Sequence, residues 1–364
     1  MLLTSIGEIV LGLVILSFGA DWLVRASVKI SGLLSIPTVI IGLTIVSFGT
    51  SAPELAVSAI SALSNQSDLA IGNVLGSNIF NILVIIGLSA AIRPMQVHLN
   101  LIRIDTPILV ALSFLLFLIC WGLEISRFAG FILVGLLAAY ILLQLFLVKR
   151  EKKSAKIDEE LQEIVKETQI KGDKTKAFLM YSGLFLVGLG LLILGSRWFV
   201  SGSVDLARWL GWSELIIGLT LVAVGTSIPE IAASVAAALR GHHDIAIANA
   251  IGSNVFNILC VLGITSIIQP LSVAPEALVF DFPVMISVAL ICWPIFLQGR
   301  KVERYEGFLL LLFYLGYMSL LYLRAIGTIE LSTYTDTLLY WIIPLASILF
   351  VSLIFHLIRK KSAA

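Results

Sequence analysis

Charge is what this chain lacks most. Asp, Glu, Lys and Arg make up only 13% of its 364 residues, against 59% hydrophobic ones and a mean hydropathy of +1.04. That balance excludes a soluble globular domain. Cysteine is scarce as well: Cys120, Cys260 and Cys292 all sit in apolar runs without CxxC spacing, so neither a disulfide framework nor a zinc site is indicated. His98, His242, His243 and His356 fall in loops or at a helix end with no ligand spacing. No Ser/His/Asp, Cys/His or paired-Asp arrangement is present, which argues against a membrane enzyme. The N-terminus lacks a basic n-region and an A-x-A-like site, and its first apolar run continues to Val24, so that run reads as a retained span. No nucleic-acid partner, obligate protein partner or cofactor is expected.

What the chain does have is a series of apolar runs, each about twenty residues and long enough for roughly 30 Å of hydrocarbon. The spans read as 3–24, 36–64, 69–92, 104–122, 128–148, 177–200, 213–239, 245–268, 278–298, 306–324 and 337–358. The expected fold is an all-α polytopic membrane protein: ten helices and an eleventh at the C-terminus. The polar segment 149–176 separates helices five and six as a cytoplasmic linker, and Ile157, Leu161, Ile164 and Val165 give it helical spacing among acids. With the N-terminus outside, this layout puts 20 Lys and Arg residues on the inner side and four, Arg127, Arg197, Arg208 and Arg324, on the outer. The positive-inside rule therefore favours an outer N-terminus and a cytoplasmic C-terminus, in the cell membrane.

The chain also repeats itself at an offset of 176 positions, relating Gly12 to Gly188, Gly19 to Gly195, Trp22 to Trp198, Asn81 to Asn257 and Asp105-x-Pro107 to Asp281-x-Pro283. Between 42–58 and 218–234, eleven of seventeen positions are identical. Five helices per half is an odd number, so residues 177–324 are expected to insert upside down relative to 1–148, with 325–364 as an unpaired helix and basic tail. Inverted repeats with interrupted helices mark secondary transporters and place the substrate site near the midplane.

The chemistry concentrates in Gly49-Thr50-Ser51-Ala52-Pro53-Glu54 and Gly225-Thr226-Ser227-Ile228-Pro229-Glu230. A carboxylate at bilayer depth is costly, and each proline frees a backbone carbonyl, of Gly49 or Gly225. Freed carbonyls need a partner, and a cation is one. Thr50 and Glu54 are four apart, which expects their oxygens on one helix face. The following helices add Ser77 with Asn81 and Ser253 with Asn257, while Gly76 and Gly252 permit close approach. Two carboxylates, two amides, four hydroxyls and freed carbonyls form an all-oxygen set suited to a hard cation such as Ca²⁺; Na⁺ can use the same groups, and protons can compete for paired carboxylates. Asp105, Asp281, Asp68 and Asp244 read as helix caps, and Asp21 and Arg197, at matching repeat positions, are not expected to pair.

At these residues the sequence resembles the cation/calcium antiporter superfamily, which includes the sodium/calcium exchangers. The resemblance covers both alpha repeats, 42–87 and 218–263, and all ten paired helices. It implies an antiporter that alternates Ca²⁺ and Na⁺ at a central cluster, the ions binding as transported substrates. Carried over, Glu54 and Glu230 look like the principal Ca²⁺ ligands, helped by Thr50 and Thr226. Ser77 and Ser253 look like Na⁺ ligands with the carbonyls of Ser47 and Ala223, and Asn81 and Asn257 complete the middle. Some relatives, potassium-dependent ones among them, carry aspartate where this chain has Asn257, so potassium coupling is not expected. The short linker leaves no room for a calcium-sensing domain, as in prokaryotic forms. A Ca²⁺/H⁺ antiporter is the alternative; a cation channel on the same helices is the reading from another class.

Overall fold

In lipid, a backbone N–H or C=O finds no water, so an apolar run satisfies its polar groups internally by coiling into a helix. The structure, a computed structural model, describes residues 2–34, 36–151, 174–210, 223–326, 328–329 and 334–345. Among the described residues eight helices are long and apolar enough to cross a membrane, and a bent pair makes a ninth. In chain order they are α1 (Leu2–Leu34), the pair α2 (Thr38–Thr50) and α3 (Ala52–Leu63), α4 (Ser67–Ile92), α5 (Leu101–Cys120), α6 (Arg127–Leu147) and α7 (Lys174–Trp209). After a shorter apolar helix, α8 (Ile228–Leu239), come α9 (His243–Ile268), α10 (Ala277–Leu297) and α11 (Arg304–Arg324).

Of the span expected at 213–239, positions 213–222 lie outside the described residues and the rest contains α8. Of the eleventh helix at 337–358, Tyr334–Thr337 and Leu338–Ile342 are helical and 346–364 lie outside. The amphipathic linker helix falls within 152–173, also outside the described residues.

Two helices overrun their expected ends. α1 has 33 residues and α7 has 36, about 50 Å at roughly 1.5 Å per residue and longer than the hydrocarbon is thick. Arg25 and Lys29 look like loop residues, yet no proline stops the helix before Pro37. The extra turns are polar on one side: Arg25 pairs with Asp21 one turn back at 2.8 Å, and Asp21 also meets Arg240 just beyond α8.

The chain is not purely helical. Two-residue strands β1 (Met95–Gln96), β2 (Glu124–Ile125), β3 (Leu271–Ser272) and β4 (Lys301–Val302) form two antiparallel ladders, β1 with β4 and β2 with β3. Each ladder ties a loop of the first half to a loop of the second. Met95, Ile125, Leu271 and Val302 turn inward and are fully buried.

α4 and α9 are the inner helices, with 78% and 83% of their apolar windows buried, whereas α1 and α7 bury 22% and face outward. α1 and α7 cross backbone to backbone. A Cβ on Gly19 would lie 2.9 Å from the Gly188 carbonyl oxygen, and one on Gly195 3.0 Å from that of Gly12. Only glycine allows this approach, and in lipid it is such contact that joins helices.

Candidate cation site

The α2/α3 break starts from proline. Pro53 cannot donate a backbone hydrogen bond to the preceding turn, and a first helical turn is where that donor is not needed. The chain accordingly ends α2 at Thr50, turns at Ser51 and restarts α3 at Ala52, with a 41° bend. Pro229 likewise sits in the first turn of α8 after Ser227. The break places Glu54 and Glu230 at new helix N-termini, where exposed N–H groups favour negative charge.

The bend falls between Thr50 and Glu54, and the hydroxyls beside it reach into the other half. The Thr50 hydroxyl donates across the molecule to Asn249 Oδ1 at 3.2 Å, and Thr226 donates to Asn73 Oδ1 at 3.4 Å. Each asparagine also clamps its own half. Asn73 Nδ2 donates to the Glu54 carbonyl (3.3 Å) and Ser58 Oγ (3.0 Å), and Asn249 Nδ2 to the Glu230 carbonyl (3.4 Å) and Ser234 Oγ (2.9 Å). The serines at the breaks reach the opposite carboxylates: Ser227 Oγ to Glu54 Oε1 at 3.1 Å, Ser51 Oγ to Glu230 Oε1 at 3.5 Å. Every one of these bonds recurs between residues 176 positions away.

On α4 and α9, Asn81 Nδ2 donates to Asn254 Oδ1 at 2.9 Å and Asn257 Nδ2 to Asn78 Oδ1 at 3.1 Å. Both helices widen into a π turn at these asparagines, Asn81–Ile86 and Asn257–Leu262, a local expansion that recurs at functional sites. Ser77 meets Ser227 at 3.3 Å, which brings it to the same centre.

Glu54, Glu230, Thr50, Ser253 and Asn257 are fully buried, and Ser77 and Asn81 nearly so. Among the described residues, Glu54 Oε2, Glu230 Oε2, Asn81 Oδ1, Asn257 Oδ1 and Ser253 Oγ have no hydrogen-bond partner. Buried oxygens left unpaired cost free energy, and five in one cluster call for a ligand that all of them can accept. A cation is such a ligand. The set is all oxygen, and among the described residues no group of three His, Cys, Asp or Glu side chains is placed to hold a metal in another way.

Other expected residues fall differently. The Ser47 carbonyl accepts Ser51 N–H at 3.0 Å, while its hydroxyl donates to the carbonyls of Gly42 and Asn249. Ala223 opens the short helical piece Ala223–Gly225, next to the undescribed 211–222. The carbonyl that Pro229 frees on Gly225 accepts the Ser196 hydroxyl at 2.8 Å. Gly252 does permit close approach: a Cβ there would meet Leu43 O at 2.8 Å. By the repeat offset the counterparts of Leu43 and Ser47 are position 219, outside the described residues, and Ala223. Asp105 is no cap but a buried carboxylate that accepts from Tyr140 (3.1 Å) and Gln144 (2.5 Å). Asp281 accepts from Tyr317 at 3.5 Å. Asp68 and Asp244 sit inside the first turns of α4 and α9, where the caps are Gln66 and His242.

Two clefts flank the centre. One of about 650 Å³ runs between α1 and α8 past Asp21 and Arg240. The other, about 540 Å³, lies between α3 and α7 and is lined by Pro53, Arg197 and Thr226.

A family model described as sodium/calcium exchanger protein matches residues 4–146 and 180–323. The chain belongs to the sodium/calcium exchanger family. The exchanger is 32% identical over 345 residues to sodium/calcium exchanger MaX1 of Methanosarcina acetivorans, covering 86% of this chain and 97% of that one. It is 37% identical over 300 residues to inner membrane protein YrbG of Escherichia coli, covering 80% and 90%. Its fold matches the sodium-calcium exchanger NCX_Mj soaked without Na⁺ and Ca²⁺, with a TM-score of 0.72, 30% identity and coverage of 88% of this chain and 100% of that one. It is a multi-pass membrane protein. Sequence reasoning missed Asn73, Asn249, Asn78, Asn254, Ser51 and Ser227 as members of the cluster. The signal was there: all six recur at the 176 offset.

Proposed function

We propose that the exchanger moves Ca²⁺ out of the cell against Na⁺ by alternating access, with two inverted five-helix repeats and an eleventh helix. The observation that carries this reading is the set of five unpaired buried oxygens, two of them on carboxylates. Their formal charge of −2 matches one Ca²⁺, which takes six to eight oxygens. Glu54 and Glu230 hold the divalent ion with Thr50 and Thr226. Ser77, Ser253 and the carbonyls of Ser47 and Ala223 serve Na⁺, and Asn81 and Asn257 close the middle. The inversion is supported by the cross-half bonds, which come in pairs at the 176 offset, and by the ladders, in which β1 finds β4 and β2 finds β3. Family membership and the name of MaX1 support Na⁺ as the coupling ion. The N-terminus lies outside and the C-terminus in the cytoplasm, in the cell membrane.

Two protons neutralise a charge of −2 as well as Ca²⁺ does, so Ca²⁺/H⁺ exchange is the second reading. Proteoliposomes loaded with Ca²⁺ separate the two. Flux is expected under a Na⁺ gradient at constant pH and not under a pH gradient without Na⁺; the reverse would sink the sodium reading. Downhill Ca²⁺ flux with no counter-ion would instead indicate a channel. Glu54→Gln and Glu230→Gln are each expected to reduce exchange at least a hundredfold in folded protein, and normal flux in either removes the site.

A further inference from the structure

An amide has two faces of opposite character: its oxygen can coordinate a cation and its NH₂ repels one. For Asn81 and Asn257 to help a cation, each must therefore be held with oxygen toward the cluster. A carboxylate at position 257 would need no such control, but this chain has an amide there.

The orientation can be traced from an atom that has no choice. The Asn78 backbone carbonyl can only accept, and Asn254 Nδ2 donates to it at 3.0 Å. Asn254 must then present Oδ1 to Asn81, whose Nδ2 takes it at 2.9 Å. With its NH₂ spent, Asn81 leaves Oδ1 buried and unpaired. A parallel chain runs on the other side. Asn78 Nδ2 points to Met285 Sδ at 3.6 Å, a weak acceptor, so Asn78 Oδ1 faces Asn257 Nδ2 at 3.1 Å and Asn257 Oδ1 is left unpaired. All four asparagines are at most 1% exposed, so water does not compete for these bonds.

We infer that Asn78 and Asn254 are positioning residues that fix the amide oxygens of Asn257 and Asn81 toward the cation, setting the site's affinity without touching the ion. The inference rests on the cation site proposed above. The second chain is held only by sulfur, so Asn257 is the more easily reversed of the two.

The test is ⁴⁵Ca²⁺ binding to the purified full chain in detergent at a series of Ca²⁺ concentrations. Asn78→Leu removes the acceptor that holds Asn257, and at least a tenfold loss of Ca²⁺ affinity is expected. In an Asn257→Asp background the same change is expected to cost less than about threefold, because a carboxylate shows oxygen in either orientation. An equal loss in both backgrounds would mean a merely structural role, and no loss in the parent would mean that the amide needs no holding; either overturns the inference. Should Asn78→Leu not yield folded protein, Asn254→Leu against an Asn81→Asp background makes the same comparison. Glu230→Gln separates the two levels. If it binds Ca²⁺ as the parent does, the site itself is wrong; if it abolishes binding while Asn78→Leu is silent, only the positioning role falls.

Discussion

Pro229 cannot donate to the turn before it, and the Gly225 carbonyl it frees is satisfied by one hydroxyl, Ser196 Oγ at 2.8 Å. The counterpart of Ser196 in the first half is Ala20, which has no hydroxyl to give. The two halves therefore solve the same backbone problem differently. Leaving a buried carbonyl unpaired costs about 1–3 kcal/mol. Ser196→Ala is thus expected to lower the thermal midpoint of the detergent-purified exchanger by a few degrees, with Ser196→Thr close to the parent; an unchanged midpoint in Ser196→Ala would show the bond to be dispensable. At this scale the sequence spoke through cost. A carboxylate beside a proline in an apolar run stands out because both are expensive in lipid, and Glu54 and Glu230 were legible for that reason. Asn73, Asn249, Ser51 and Ser227 were marked only by their recurrence at the 176 offset, because each makes a bond to the other half, and spacing within one helix carries no information about a partner across the molecule. Asp105 misled in another way: the motif before Pro107 has the form of a cap, yet Tyr140 and Gln144 on α6 claim the carboxylate.

At the scale of elements, the site depends on how closely α2 and α9 approach. Gly252 packs on Leu43 and on the Ser47 hydroxyl, and the neighbouring residue Ser253 carries one of the unpaired oxygens. A methyl group at 252 must push α9 away by a few tenths of an ångström or more, because beyond the Ser47 hydroxyl it meets the Leu43 backbone, O at 2.8 Å and Cα at 2.9 Å, which cannot rotate aside. Gly252→Ala is expected to cut Na⁺-driven Ca²⁺ flux at least tenfold. Gly72→Ala, on the neighbouring α4 with nothing within 4 Å of the added carbon, makes the control: it should leave flux unchanged and gain up to about 1 kcal/mol of helix propensity. Equal flux in both variants would mean that α2 and α9 need not touch for transport. Element positions were well marked in the sequence, since apolar length alone defines a span. Their ends were less so at α1 and α7, where Arg25, Lys29 and Arg208 suggested loops but no proline stops the coil.

For the molecule as a whole, the decisive property is the relative orientation of the halves, and the small ladders make it testable. Gln96 of β1 and Ser272 of β3 stand 176 positions apart and are both exposed, while their neighbours Met95 and Leu271 are buried. β1 pairs with β4, beside Arg93, Arg300 and Arg304; β2 pairs with β3 and has none of those charges. If the halves are inverted, equivalent residues must lie on opposite sides of the membrane, and the basic ladder must be cytoplasmic. Cys120, Cys260 and Cys292 are buried, so an impermeant maleimide finds little background. In intact cells it is expected to label Ser272→Cys and spare Gln96→Cys, with the pattern reversed in inside-out vesicles. Opposite labelling with the sides exchanged would keep the inversion and turn the protein over, making the extrusion direction wrong. Labelling of both from one side would mean parallel halves. Glu54 and Glu230 could not then be related by a twofold axis in the membrane plane, and a single site opening alternately to either side would lose its structural basis.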